Sequence, residues 1–319
     1  MGSHHRKHNR ETLSKNEQPN ANMQDKRAEM AFSDFELLHG VWEESKEQTE
    51  HRRQQLALLN FTLLPGKMVL DAGCGPGTYG LLIAAEKGCD VIGVDISFKN
   101  AKVAKARAKK IGCSFFPITA DLENLPFRDN SFDLCLCAYI LHHFPNASGP
   151  LADLSRVVRQ DGSIALFEPN GSNPLMLLSG KLEDTLRGLL CKLGLDSPNE
   201  KNFRLNDYNF ELAKQGFTHI TVVSHYFGGL PPLPNQSGRQ GLSSYYSLSL
   251  ILFFVQIRRL LFIIGNELLP SPANGVDLLI LGSKNRSSLL SSMAGSQLTR
   301  TVLFKKLTCG RPALEKRIF

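Results

Sequence analysis

The sequence has a single tryptophan and 8% aromatic residues, and its seven cysteines (Cys74, Cys89, Cys113, Cys135, Cys137, Cys191 and Cys309) contain no CxxC pair. An odd count without that spacing suggests neither a disulfide framework nor a zinc ribbon, and a reducing, cytoplasmic setting fits it best. The first thirty residues hold no apolar run, so a secretory signal is not expected. Arg6 stands where a myristoylation start wants Ser or Thr. A clean transmembrane span is missing too. The most apolar stretch, near 245–268, contains Arg258 and Arg259, each of which would cost on the order of 2.5–3.5 kcal/mol in mid-membrane. Nor does the body of the chain carry excess positive charge. Between Lys284 and Phe319 there are eight Lys or Arg and one acid, which account for the whole formal charge of +7. The basic balance therefore describes a tail, not a catalytic face.

What remains is ordinary globular composition: 319 residues, 42% hydrophobic and 21% charged, enough for one large core or two modest ones. Residues 1–30 read as a disordered polar tail. Its His4, His5 and His8 have no accompanying Cys or carboxylate cluster, so no metal is expected there. Residues 287–319 read as a basic flexible tail, which leaves one domain over 31–286.

The most informative stretch is Met68-Val69-Leu70-Asp71-Ala72-Gly73-Cys74-Gly75-Pro76-Gly77, followed by a helix-like run from Thr78 to Lys87. The apolar start predicts a buried parallel strand, and glycines at alternate positions let the backbone turn tightly against a ligand. Dinucleotide enzymes place GxGxxG at the same point. Here the spacing is GxGxG, Thr78 replaces the last small residue, and Asp71 precedes the first glycine by two, which favours a different ligand. A second strand, Asp90 to Asp95, ends in a carboxylate 18 residues after Gly77. An acid there can accept from both hydroxyls of a ribose. Alternatively it caps the Lys/Ala-rich helix predicted over about 98–110, with Ser97. A third strand, Ser114 to Ile118, leads to Asp121, whose side chain can accept from an adenine amino group while the Leu122 amide donates to the ring.

Together, Val69 to Gly77, Asp95, Ala120-Asp121 with Leu125-Pro126-Phe127, and Ser131-Phe132-Asp133-Leu134 resemble the class I methyltransferases that use S-adenosylmethionine. The similarity is to the small-molecule branch called methyltransferase type 11, over roughly residues 35–170. It implies an α/β fold: a doubly wound, Rossmann-like, seven-stranded sheet, mostly parallel with an antiparallel last strand. It also implies that Gly73, Gly75 and Gly77 face the methionine and sugar of the cofactor, with Asp71 stabilising the turn. Asp95 would hold the ribose, Ile96 would pack on the adenine face, and Asp121 with Leu122 would meet the adenine edge. Backbone at Cys137 and Ala138 would lie near the sulfonium. The thiols of Cys135 and Cys137 read as small buried strand residues, not as redox groups.

A sulfonium methyl is already electrophilic, so positioning a nucleophile supplies much of the catalysis, about 7–11 kcal/mol in favourable cases. A base is needed only when the acceptor is a hydroxyl or phenol that must lose its proton. The candidates are His142 and His143, in the run Tyr139 to Phe144 beyond the fourth strand; the other reading makes them loop residues capping a helix near Ser148. A helix over 149–160 is expected to stop at Asp161-Gly162, before a strand from Ser163 to Glu168. Glu168 either bonds an acceptor or is a solvated strand end. A helix closing at Gly216, a strand over 218–224 and a last strand over 276–282 complete the sheet.

Two further segments bear on the acceptor. Phe32, Phe35, Leu38 and Trp42 recur at helical spacing and predict a cover over the cofactor pocket, packing by its aromatics. Leu250, Phe253, Phe254, Ile257, Leu260, Leu261 and Ile264 form an apolar stripe, read as a helix packed on the sheet or as an interfacial helix with peripheral membrane contact. The acceptor expected is a small or lipid-like organic molecule. RNA ranks below it, because no NPPY-type motif or aromatic-interleaved basic groove follows the fourth strand. The rival outside catalysis is a methyltransferase-like protein that holds the cofactor without turnover.

Overall fold

A computed structural model describes residues 24–38, 46–60, 62–172, 191, 197, 199, 201, 203–225 and 277–285. The apolar stripe at 245–268, Trp42 and most of both tails lie outside the described residues. Seven strands form one sheet: β1 (Met68–Ala72), β2 (Asp90–Asp95), β3 (Phe115–Thr119), β4 (Phe132–Ala138), β5 (Val158–Pro169), β6 (His219–His225) and β7 (Asp277–Ser283). Their order is β3-β2-β1-β4-β5-β7-β6. Pairing is parallel from β3 through β5, and β7 runs antiparallel to both β5 and β6.

The strands read as near-continuous apolar runs because both sheet faces are covered. With a side-chain period of two, Val69, Leu134, Leu136, Ala165, Phe167, Leu279 and Leu281 point into one core, and Leu70, Cys135, Cys137, Ile164, Leu166 and Ile280 into the other. Helices α1 (Lys26–Leu38), α2 (Lys46–Ala57), α3 (Thr78–Leu82), α4 (Phe98–Ile111), α5 (Ser148–Val157) and α6 (Leu205–Lys214) surround the sheet. The α4 sequence shows why it is a helix. Ser97 caps it by accepting from the Asn100 amide at 3.1 Å, Ala101, Ala104 and Ala108 form its buried face, and Gly112 closes it at φ 76°.

Two boundaries differ from the sequence-based expectation, and one helical run keeps its bounds but changes in kind. Helix α1 begins at Lys26, so the polar tail does not run to residue 30: Asp25 caps the Ala28 amide at 3.1 Å, and Glu29 is buried against Ser197 and Asn199. The helix α5 stops at Val157 and β5 begins at once, so Asp161-Gly162 lies inside a strand. A Cβ on Gly162 would sit 2.9 Å from the Asp133 carbonyl oxygen, so glycine is needed there for close strand approach, not to end a helix. The run after the glycine turn is α3 followed by a π-helical turn, Ile83–Lys87, closed by Gly88 at φ 68°.

The strand order reverses between β1 and β4, which sit side by side. In an open α/β sheet the crevice beyond the carboxyl ends of the strands at such a switch point is the ligand position. The glycine turn, Asp95 and the histidine run all follow those ends.

Candidate active site

Asp71 is buried in β1, and its Oδ2 accepts from the Gly80 amide at 2.8 Å, tying the strand to α3 across the turn. Burial pushes its carboxyl up to about 7; the Gly80 bond opposes the shift and nearby Asp95 adds to it. The turn itself hangs on one carbonyl, Val94 O, which accepts from the Gly73 and Cys74 amides at 2.8 and 2.9 Å. Gly73 lies at φ 71°, and a Cβ there would fall 2.4 Å from the Ile140 side chain, so two requirements exclude larger residues.

Asp95, at the end of β2, is also buried. Its Oδ2 accepts from the Gly75 amide at 2.8 Å, and its Oδ1 from the Ser97 amide at 2.8 Å. The carboxylate thus braces the glycine turn and the start of α4 at once. Burial raises its pKa, against the bonds from Ser97 and Gly75. Asp121 follows β3, where its Oδ1 accepts from the Glu123 amide at 3.0 Å and its Oδ2 pairs with Lys26 of α1.

Two adjoining cavities open from these residues, of about 220 Å³ and about 50 Å³, and they share Glu29, Ser33, Gly73, Asp95 and Ile140. Gly75, Asp71, Ala138, His142 and His143 line the larger. Ile96, Asp121 and Leu122 line the smaller. Most of the sequence-predicted site is therefore in one place. Gly77 and Cys137 do not line either cavity. Gly77 turns the chain at φ 90° against the Phe115 ring, 2.8 Å from where a Cβ would stand, and the Cys137 thiol is in the core with its pKa pushed well up by burial. A separate cavity of about 370 Å³, bounded by Pro145, Lys201, Phe203 and Phe210, holds none of these motif residues.

The histidine run is built more firmly than its sequence suggests. His142 is nearly buried, and its Nδ1 lies 2.8 Å from Glu168 Oε2. Glu168 is fully buried, so it is not a solvated strand end. Its Oε1 accepts from the Ile140 and Leu141 amides at 3.0 and 2.8 Å, and the Lys201 amide bonds the His142 carbonyl at 2.7 Å. A carboxylate only accepts, so Nδ1 carries the proton and Nε2 is the basic nitrogen. His143 Nδ1 stands 3.0 Å from Glu29 Oε1 of α1. Just before them Tyr139 adopts φ 58°, a left-handed conformation unusual outside glycine.

Several contributors carry little sequence signal. Buried Gln55 of α2 accepts from the Tyr79 hydroxyl at 2.5 Å and donates to the Tyr139 hydroxyl at 2.9 Å, bridging the cover to the end of β4. Arg52 lies with its guanidinium 5.6 Å from the Tyr79 ring centre and is the one Arg or Lys among the described lining residues. Helix α1 adds Lys26, Glu29, Ser33 and Asp34, the last accepting from the Ser97 hydroxyl at 2.6 Å. The cover thus presents these polar groups to the site beside one of its aromatics, Phe32, which lines the larger cavity with its ring 6.1 Å from that of His143.

These residues fit a nucleoside with an amino-acid tail. An acid ends β2 for a diol, a glycine-rich turn follows β1, and Arg52 offers charge for a carboxylate. The Thr78 hydroxyl, buried at the larger cavity, has no hydrogen-bond partner among the described residues.

Residues 70–166 match a family model described as a methyltransferase domain. The sterol methyltransferase-like 2 of Botryococcus braunii is 33% identical over 106 residues, 33% of this chain and 27% of that protein. Against the sterol and rifamycin methyltransferases, the chain covers 27% to 50% of the relatives' own length. The demethylmenaquinone methyltransferase of Tropheryma whipplei is 36% identical over 193 residues, 56% of this chain and 77% of that protein. Among solved structures the cyclase SpnF superposes with a TM-score of 0.55 at 17% identity, over 81% of this chain and 95% of that one, a likeness of fold alone. The menaquinone relative is matched over 77% of its length at 36% identity, and on that extent of identity the chain belongs to the class I methyltransferases that use S-adenosylmethionine.

Proposed function

We propose that the chain methylates a small, lipid-like organic acceptor whose attacking atom must lose a proton, with His142 as the base. The observation that carries this is the His142–Glu168 pair at 2.8 Å, buried beside the glycine turn in one cavity. When bound, S-adenosylmethionine supplies an electrophilic methyl group. Asp95 and Gly75 fix the sugar end, Arg52 and Thr78 face the amino-acid tail, and Asp121 with Leu122 takes the adenine edge. Glu168 holds His142 so that Nε2 accepts the proton from the acceptor. Its two bonds to the Ile140 and Leu141 amides keep that geometry rigid.

Cavities of 220 and 50 Å³ are below the ~300–1,000 Å³ usual for ligands of this size. Entry of the cofactor therefore displaces the Lys26 side chain from Asp121 while α1 stays in place. The quinone relatives support a quinone-type acceptor, taken here in its reduced, aromatic diol form: one is named a demethylmenaquinone methyltransferase, another, from Nostoc, a 2-phytyl-1,4-naphtoquinone methyltransferase, 30% identical over 76% of its length. The apolar stripe at 245–268 suits such an acceptor. The test is incubation with trideuteromethyl cofactor and a panel of reduced quinones, sterols and phenols, read by mass spectrometry. A product heavier by one labelled methyl group is expected from a hydroxylated aromatic.

A second reading is that the cofactor is held without methyl transfer; the fold is shared with a protein named as a cyclase. Tight binding of S-adenosylhomocysteine with no labelled product across the panel would establish it and overturn the first.

A further inference from the structure

We infer that Asn100 is a second ribose ligand, its side-chain oxygen accepting from one hydroxyl of the cofactor's diol while Asp95 takes the other. The inference rests on the cofactor site proposed above and adds a residue to it. Asn100 is in the first turn of α4, fully buried, and lines the larger cavity. Its Nδ2 donates to Ser33 Oγ at 2.7 Å and faces Asp95 Oδ1 at 3.4 Å. Those contacts set the orientation of the amide. Turned over, Asn100 would present its oxygen to the acceptor-only carboxylate.

With the amide so fixed, Oδ1 has no hydrogen-bond partner among the described residues. Buried carbonyl oxygens are rarely left so, and each such case calls for an explanation. The capacity of Asp95 provides one. A carboxylate has about four acceptor sites, and those of Asp95 already receive the Gly75 amide, the Ser97 amide and the Asn100 Nδ2. One site remains for a ligand with two adjacent hydroxyl donors. Asn100 Oδ1 is the neighbouring acceptor that takes the second.

The arrangement also assigns a task to the cover helix. Ser33 of α1 receives the same amide's N–H, so cover and ribose meet at one side chain. A mere packing role, or an ordered water on Oδ1, would leave the binding of ribose and deoxyribose forms equally affected by any change at residue 100.

The experiment is calorimetric titration of the full chain with S-adenosylhomocysteine and its 2′-deoxy and 3′-deoxy analogues. Removing one hydrogen bond to a buried acceptor corresponds to about a 5- to 150-fold loss of affinity. The unaltered chain is expected to show that loss with each deoxy analogue. Asn100→Leu is expected to weaken S-adenosylhomocysteine by the same factor, and to bind one deoxy analogue as tightly as the parent ligand. If Asn100→Leu still discriminates against both analogues, the oxygen is not a ribose ligand. Should the variant misfold, the unaltered chain decides alone: equal affinity for either deoxy form and the parent overturns the shared diol. Failure of the unaltered chain to bind S-adenosylhomocysteine at all would instead sink the cofactor site itself, and this inference with it.

Discussion

Replacing Glu168 by Gln tests the proposed base without touching it. The Ile140 and Leu141 amides, at 3.0 and 2.8 Å from Oε1, require an acceptor. The glutamine oxygen must therefore take the Oε1 position, which turns its NH₂ toward His142. An NH₂ cannot accept from Nδ1–H, so the imidazole moves its proton to Nε2 and leaves Nδ1 to accept. The ring stays in place while its basic nitrogen faces the wrong way. General-base catalysis contributes about 10²–10⁴-fold, so turnover should fall by that range, about 2.7–5.5 kcal/mol of barrier. In a serine-protease triad the same exchange of tautomer, caused by changing the orienting aspartate to Asn, costs about 10⁴ in kcat. The assay is single-turnover methyl transfer to the best acceptor of the labelled panel, beside calorimetry with S-adenosylhomocysteine. Affinity should stay within about twofold. Near-normal turnover with normal affinity would refute the assignment of His142, which shares Glu168 Oε2 with the Tyr208 hydroxyl at 3.5 Å.

Three other perturbations follow from the same geometry. Gly73→Ala places a methyl group 2.4 Å from Ile140 at φ 71° and should destabilise the fold by about 1–3 kcal/mol, read as a lower midpoint in urea. Asp95→Asn keeps one acceptor but sets an NH₂ against the Gly75 or Ser97 amide, so both stability and cofactor affinity should fall, the latter by about tenfold or more; unchanged affinity would detach the turn from the ligand. Asp71 has a folded pKa of about 7 against about 4 in an unfolded chain. The folded state therefore binds this proton more tightly, and the group costs stability progressively as pH rises from about 4 to about 7. Asp71→Asn, which still accepts from Gly80, should gain on the parent protein in thermal midpoint over that window, and a constant difference across it would contradict the raised pKa.

Much of the fold was legible because its signals are local. The runs at Met68–Ala72 and Asp90–Asp95, with glycines at 73, 75 and 77, specify strand, turn and strand by sequence neighbours alone. The cap at Ser97 and the close at Gly112 do the same for α4. Where the sequence misled, a non-local contact decided. Asp161-Gly162 carries the chemistry of a helix stop, yet it falls within β5, where the register with β4 shifts between the Phe132–Val158 and Leu134–Ser163 pairs. Lys26–Met30 is polar enough for a tail, yet contacts to Asp121, His143, Ser197 and Asn199 convert it to a helix.

The site shows the same division, and it explains which residues escaped notice. Glycines and strand-end acids announce themselves because the backbone needs them wherever the chain turns. Asn100 and Gln55 do not, since an amide in a helix is unremarked until its partners are known, and Glu168 shows its place at a strand end but not its burial. Each is 0% exposed, and each joins elements far apart in sequence: Asn100 to α1, Gln55 to Tyr79 and Tyr139, Glu168 to the histidine turn. Burying such groups is costly unless they are bonded, so their partners are part of the reason they persist in the interior. Asp95 stands between the two classes. It bonds the turn and α4 as a structural brace while offering its remaining acceptor capacity to a ligand, so a loss of affinity in Asp95→Asn mixes both roles. Only the comparison of ribose with deoxyribose ligands separates them, because removing a hydroxyl from the ligand leaves every brace in the protein intact.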